Sequence, residues 1–261
     1  MTGSDGGTLV AITHVPSPNM QRGERTFVEE LEVDYELALR QHAAYRAALR
    51  QCGVDVIVLD VNRTMPDCVF VEDTALVLDE LAVMMSPGAE SRRGEPAGIE
   101  PALRSFREIR RITRPATIDG GDVVVAGRTL YVGESRRTNA AGIAALREAI
   151  APFGYSVIGV PVHGCLHLKS ACSALPDGRF LVNADWIDVT PLPQERLLSV
   201  PSDEPWAGDV LVIGRQIVLS SAFPNTARLL DSLGFGTLAV GVSEFAKVEG
   251  GVTCLSLVFR S

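Results

Sequence analysis

Residues 122–135 read DVVVAGRTLYVGES. Two short apolar runs stand either side of a Gly-containing turn, which is the pattern of a β-hairpin, and the small polar residues that follow suit the opening of a helix. Residues 209–222, DVLVIGRQIVLSSA, repeat this almost position for position. Residues 73–87, DTALVLDELAVMMSP, place two runs around Asp79–Glu80, and residues 171–185, ACSALPDGRFLVNAD, place them around Asp177–Gly178. The hairpins begin at residues 73, 122, 171 and 209, and a further step of similar length reaches Cys254, after which the chain reads CLSLVFRS with one apolar run only. Recurrence at steps of 38–49 residues marks a repeat architecture. The unit at Cys254 lacks a second strand, and residues 8–15, TLVAITHV, supply a candidate. Pairing of the N- and C-terminal strands would complete that unit and remove the exposed edges of an open sheet.

Helical spacing fills the intervals between hairpins. Glu29–Cys52 reads as a long helix stopped by Gly53, before a strand over Val54–Leu59. Glu100–Ile112, Arg137–Phe153 with Thr138 or Asn139 as N-cap, and Asn225–Leu233 before Gly234 read as further helices. Each unit is then strand, helix and hairpin. The fold predicted is α/β, a five-unit α/β propeller forming one domain over residues 1–261. A doubly wound parallel sheet is the competing architecture, but it would be joined by single βαβ crossovers rather than by recurrent tight hairpins.

Composition agrees with a folded chain. The 261 residues are 46% hydrophobic and 21% charged, which excludes a disordered or collagen-like protein. With 24 Lys and Arg against 32 Asp and Glu, the net charge of -8 argues against a surface that neutralises nucleic acid or anionic lipid. No apolar stretch approaches the ~18 residues of a membrane span, and the first 19 residues lack a basic start followed by an apolar run. A cytoplasmic protein is expected. The five cysteines are scattered and odd in number, so reduced thiols are expected rather than disulfides.

In a closed array the strand ends of several units converge, so a site should draw on equivalent positions of several repeats. Asp67, Glu72 and Asp73 flank the first hairpin's opening strand, PDCVFVED, Asp119 and Asp122 bracket Gly120–Gly121, His167 lies in CLHLKS, and Cys254 follows EGGVT. Cys254 is the nucleophile candidate, because Gly250–Gly251 lets the backbone approach closely; its alternative is a small buried apolar residue. Cys52 and Cys68 read as core. Cys165 and Cys172 flank His167, but their spacing matches no usual zinc site, and no metal is expected. His167 is either a satisfied core histidine or the acid–base partner of the thiol, with Asp119 orienting the imidazole. His14, His42 and His163 have weaker claims. Asp67, Glu72 and Asp73 suit a planar cation such as a guanidinium, or else ordinary strand-end turn chemistry.

At these residues the chain resembles the dimethylarginine dimethylaminohydrolase family of the pentein, or guanidino-group-modifying, superfamily. The blocks are PDCVFVEDTALV (66–77), SPGAESRR (86–93), TIDGGDVV (117–124), ESRRTNAAG (134–142), LHLKSACS (166–173) and KVEGGVTCLSL (247–257). The resemblance implies a five-unit α/β propeller, with Cys254 as nucleophile, His167 as general acid and base, and Asp119, where some bacterial members carry Glu, as its orienting carboxylate. It further implies that Asp67, Glu72 and Asp73 hold the guanidinium and that Arg92 and Arg137 hold the substrate carboxylate. The Val248 carbonyl would receive the α-amino group, and Met20 would be the apolar residue of a flexible lid. The implied reaction converts methylated arginines to citrulline through a thiouronium on Cys254, with no cofactor. The expected partner is a small-molecule substrate, with no nucleic acid and no membrane, in a monomer or homodimer. Rival readings are a guanidino hydrolase preferring free arginine, a non-enzymatic propeller and a nitrilase-type thiol amidase. The last would need a Glu, Lys and Cys set, for which only Lys169 and Lys247 are available.

Overall fold

The computed structural model describes residues 7–261. Fifteen strands form five three-stranded sheets. In sequence order these are β1 (Leu9–His14) and β2 (Asp55–Leu59), β3 (Ala75–Val77) to β5 (Glu108–Arg111), β6 (Val123–Ala126) to β8 (Ser156–Pro161), β9 (Cys172–Ala174) to β11 (Leu197–Ser199), and β12 (Leu211–Ile213) to β14 (Gly236–Val240), with β15 (Leu257–Arg260) completing the first. Every sheet has the same plan, an antiparallel pair plus a third strand parallel to the middle one. In the first sheet the antiparallel pair is β1 with β15, Leu9 opposite Arg260 and Ile12 opposite Leu257, so the terminal strands do pair.

The middle strands read as continuous apolar runs because both their faces are buried. Leu130 and Val132 of β7 (Thr129–Glu134) join the apolar cluster shared with the preceding unit, whereas Tyr131 joins the one shared with the next. The same two-residue alternation holds in β4 (Leu81–Met84), β10 (Phe180–Val182) and β13 (Gln216–Ser220). Five clusters result, each between neighbouring sheets, and the cluster holding Ala11, Tyr45, Val218 and Val240 joins the fifth unit to the first.

Three of the helices are shorter than the periodicity predicts. α1 spans Tyr35–Gln51, starting where the Asp34 carboxylate accepts the Leu37 N–H at 2.9 Å, so residues 29–34 lie outside it. α2 spans Glu95–Leu103 and not Glu100–Ile112: Pro96 begins it, and the tail of the expected helix is β5, which pairs with β4. Phe106, Ile109 and Ile112 are three apart, a spacing shared by a helix face and an irregular strand entry, and strand pairing decided between them. α3 (Ala140–Ile150) is capped by Asn139, whose side chain accepts the Gly142 N–H at 2.8 Å. α4 (Leu168–Ala171), α5 (Pro224–Ser232) and α6 (Ser243–Ala246) complete the set. The run PDCVFVED is not a strand; it is turn and a 3-10 segment, Val71–Thr74. No helix among the described residues is long and apolar enough to cross a membrane.

Candidate active site

Each unit places a polar residue in the turn before its own antiparallel pair. Asp73 lies in the 3-10 turn ahead of β3, Asp122 in the turn Gly120–Asp122 ahead of β6, and His167 at the head of α4 before β9; Asp209 precedes β12 and Cys254 precedes β15. Gly120 and Gly121 are there because the turns crowd. A Cβ on Gly120 would stand 2.0 Å from the Glu72 carbonyl oxygen, and one on Gly121 would stand 2.8 Å from His167 Nδ1.

His167 is buried, with Nε2 3.0 Å from Asp119 Oδ2 and Nδ1 3.8 Å from Asp73 Oδ1. Burial alone would discharge the ring, but Asp73, Asp122 and Asp119 outweigh it and raise its pKa to about 9. The contact with Asp119 is thus made despite the short side chain, whose other oxygen accepts the Gly88 N–H at 2.9 Å. Burial opposes the ionisation of Asp73, yet His167 and Arg92 hold it charged, with a pKa near 2, and its Oδ1 accepts the Gly121 N–H at 2.9 Å. Asp122 accepts the hydroxyls of Ser135 and Thr138 and the Leu168 N–H, so it fixes the neighbouring turns while its charge acts on His167.

Cys254 is half-buried, and its Sγ receives the Gly251 N–H at 3.4 Å. Burial, then Asp209, Glu72 and Asp73, push the thiol well above its ordinary range. Glu72 bonds Lys169 Nζ at 2.6 Å and the hydroxyl of Thr253, the residue before Cys254, at 2.9 Å. Lys169, Thr253 and Asp209 were not singled out as site residues by their types. The signal that would have found Asp209 is the repeat itself, since it heads the fifth unit as Asp73 heads the second.

The two arginines differ. Arg137 is buried 3.7 Å from Asp119, and its Nη1 has no hydrogen-bond partner among the described residues. Arg92, expected on a substrate carboxylate, turns inward: it bonds both Glu95 oxygens, the Asp73 carboxylate and the Phe70 carbonyl. Its donors order Asp73. Asp67 accepts the Glu24 N–H at 3.2 Å, which ties the segment after Met20 to the site, and burial raises its pKa. Met20 is only 1% exposed and packs in the same apolar cluster as Phe70, Phe245 and Val248. Glu249, after Val248, has a left-handed φ of 61°, and its carboxylate accepts the N–H groups of Phe27 and Val28, so it ties residues 27–28 to the nucleophile's loop. Beyond Gly250–Gly251 lies a cavity of about 570 Å³, bordered by Asp209, Trp206, Phe223 and Val242.

Of the other histidines and cysteines, His14, His42, Cys68, Cys165 and Cys172 are buried, whereas His163 is exposed. His14 Nε2 accepts from the N–H groups of Val61 and Asn62, and burial lowers the pKa of His42 to about 3. Burial pushes Cys68, Cys165 and Cys172 up to about 12. Asp73, Asp119 and His167 each offer an atom within 4.8 Å of the others. Arg92 already sits on Asp73, so the set suits an imidazolium held between carboxylates better than a metal.

Comparison with known proteins agrees with this geometry. Residues 19–188 match the family model described as N,N dimethylarginine dimethylhydrolase, eukaryotic. The chain is 44% identical over 251 residues to N(G),N(G)-dimethylarginine dimethylaminohydrolase of Streptomyces coelicolor, covering 96% of both chains. The chain belongs to the dimethylarginine dimethylaminohydrolase family. The enzyme of that name from Pseudomonas aeruginosa is 34% identical over 87% of this chain and 90% of its own. A crystal structure of its cysteine-to-serine mutant complexed with citrulline aligns with a TM-score of 0.90 at 32% identity, covering 97% of this chain and 100% of that one. The product-bound N-terminal domain of ArgZ, a cyanobacterial arginine dihydrolase, shares the fold with a TM-score of 0.86 at 17% identity, covering 96% of this chain and 97% of that one.

Proposed function

We propose that this protein hydrolyses Nω-methylated arginines to citrulline and methylamine or dimethylamine, with Cys254 as nucleophile and His167 as general acid and base. The observation that supports the reading is that Asp73, whose carboxylate lies 3.8 Å from the ring of the His167–Asp119 pair, is also one of the charges acting on the Cys254 thiol, so that residues heading different units share one carboxylate. Asp73 and Glu72 supply negative charge for a guanidinium, and the arriving cation offsets the like charges that hold the thiol protonated, so that the thiol releases its proton to solvent as the substrate binds. The thiolate then attacks the guanidinium carbon, forming a C–S bond. The C–N bond to the alkylamine breaks as the imidazolium of His167 gives up its proton to the leaving nitrogen. His167 next takes a proton from water, whose oxygen attacks the thiouronium carbon. The C–S bond breaks, citrulline leaves and the thiolate is restored. This balance needs neither metal nor organic cofactor.

Arg137, with an open buried donor, is the residue assigned to the substrate carboxylate, and Arg92 is assigned to ordering Asp73. Asp67 and the Met20 segment would close over the substrate, with the Val248 carbonyl receiving the α-amino group. We further infer that the five sheets form a single closed propeller domain, acting in the cytoplasm as a monomer or homodimer. Cys254→Ser tests the thiol: turnover should be lost while the melting temperature and binding of dimethylarginine persist. Retained citrulline formation would remove the mechanism.

A further inference from the structure

We propose that Asp209 is a positioning residue for Cys254, bracing the nucleophile's loop and, by its charge, keeping the thiol protonated until a substrate cation arrives. The inference rests on Cys254 being the reacting thiol. Asp209 heads the fifth unit, is 8% exposed, and accepts the Thr253 N–H at 3.1 Å on Oδ1. Its Oδ2 presses on Gly251, where a Cβ would come within 1.8 Å, so that only glycine fits. Gly251 in turn donates its N–H to Cys254 Sγ. One carboxyl therefore holds the loop on both sides of the sulfur.

The charges facing it are mostly of its own sign. Glu72 is linked to it through Thr253, whose hydroxyl bonds Glu72 and whose N–H bonds Asp209; among the described residues Lys169 is the cation bonded to Glu72, and Asp73 adds a further like charge acting on the thiol. A thiolate formed here without substrate adds a further negative charge to this group, whereas a guanidinium relieves it. Burial, then Glu72, raises the pKa of Asp209 itself to about 7, so its charge develops through neutrality and is full on the alkaline side. The carboxyl borders the cavity beyond Gly250–Gly251, and so is not sealed into apolar packing.

The test is alkylation of Cys254 by iodoacetamide, followed by mass spectrometry from about pH 6 to about pH 10, in wild type and Asp209→Asn. The amide keeps an oxygen for the Thr253 N–H but carries no charge. The expected result is alkylation about tenfold faster at each pH from about 8 to about 10, on the rising limb below the thiol's midpoint, as a midpoint about one pH unit lower requires. Asp209→Ser, which also keeps an oxygen, serves if the amide variant folds poorly, and should move the midpoint the same way. A midpoint unmoved or raised, including a uniform loss of rate at every pH as a purely structural role would give, overturns the proposal. Alkylation needs no turnover, so failure to hydrolyse methylarginines would leave this result readable.

Discussion

His167 is a buried imidazole between two carboxylates, and the balance of burial against Asp73, Asp122 and Asp119 sets its charge. With a pKa near 9 it is an imidazolium at neutral pH, ready to protonate a leaving amine. The profile of kcat/KM against pH should therefore fall as pH rises through about 9. Asp119→Asn should move that limb to lower pH and reduce kcat by roughly 10²-fold or more; an unmoved limb would contradict the pairing. The sign for stability follows from a raised pKa: the pairing contributes fully below the ordinary histidine value and is lost as pH climbs through about 9. Asp119→Asn should accordingly lower the melting temperature more near pH 6 than near pH 10. Asp73→Asn leaves the buried Arg92 paired only with Glu95, and should cost about 3–5 kcal/mol in denaturant unfolding. The reactive residues were legible because their types are scarce, with four His and five Cys in 261 residues. Asp209 was not, because acidic residues are common and its meaning lies in what it touches. Where the Arg92 guanidinium points was equally hidden, since the choice between a substrate and Asp73 is made by folding.

Helix starts matter more than helix cores for reading these elements. α1 begins at its cap, and Asp34→Ala should cost about 1 kcal/mol and lower the melting temperature by about 2–4 °C, with methylarginine turnover within twofold of wild type. No loss on calorimetry would mean that water caps the helix as well as Asp34 does. Hairpin positions were readable to within a few residues, because Gly127, Gly178 and Gly214 occupy left-handed turns that few other residues tolerate. The boundary between α2 and β5 was not readable: Phe106, Ile109 and Ile112 suit either element in isolation, and pairing with β4 is a contact no local pattern contains.

The recurrence of hairpins was enough to give the number of units, and the missing half of the last one pointed to the chain's two ends. β1 lies between β15 and β2, and the Ser261 N–H bonds the Thr8 carbonyl at 2.8 Å. A circular permutant joining the ends by a short linker and reopening the Asp177–Gly178 turn should fold and turn over. Deleting residues 257–261 should instead leave β1 without its antiparallel partner and give aggregated protein on gel filtration. Five apolar clusters, each spanning two units, explain why such damage spreads: removing one interface exposes the next. The side-by-side rate of citrulline formation from asymmetric dimethylarginine, monomethylarginine and arginine tests the central claim most directly. The methylated substrates should each show the higher kcat/KM; faster turnover of arginine, or no citrulline from either methylated form, would contradict it.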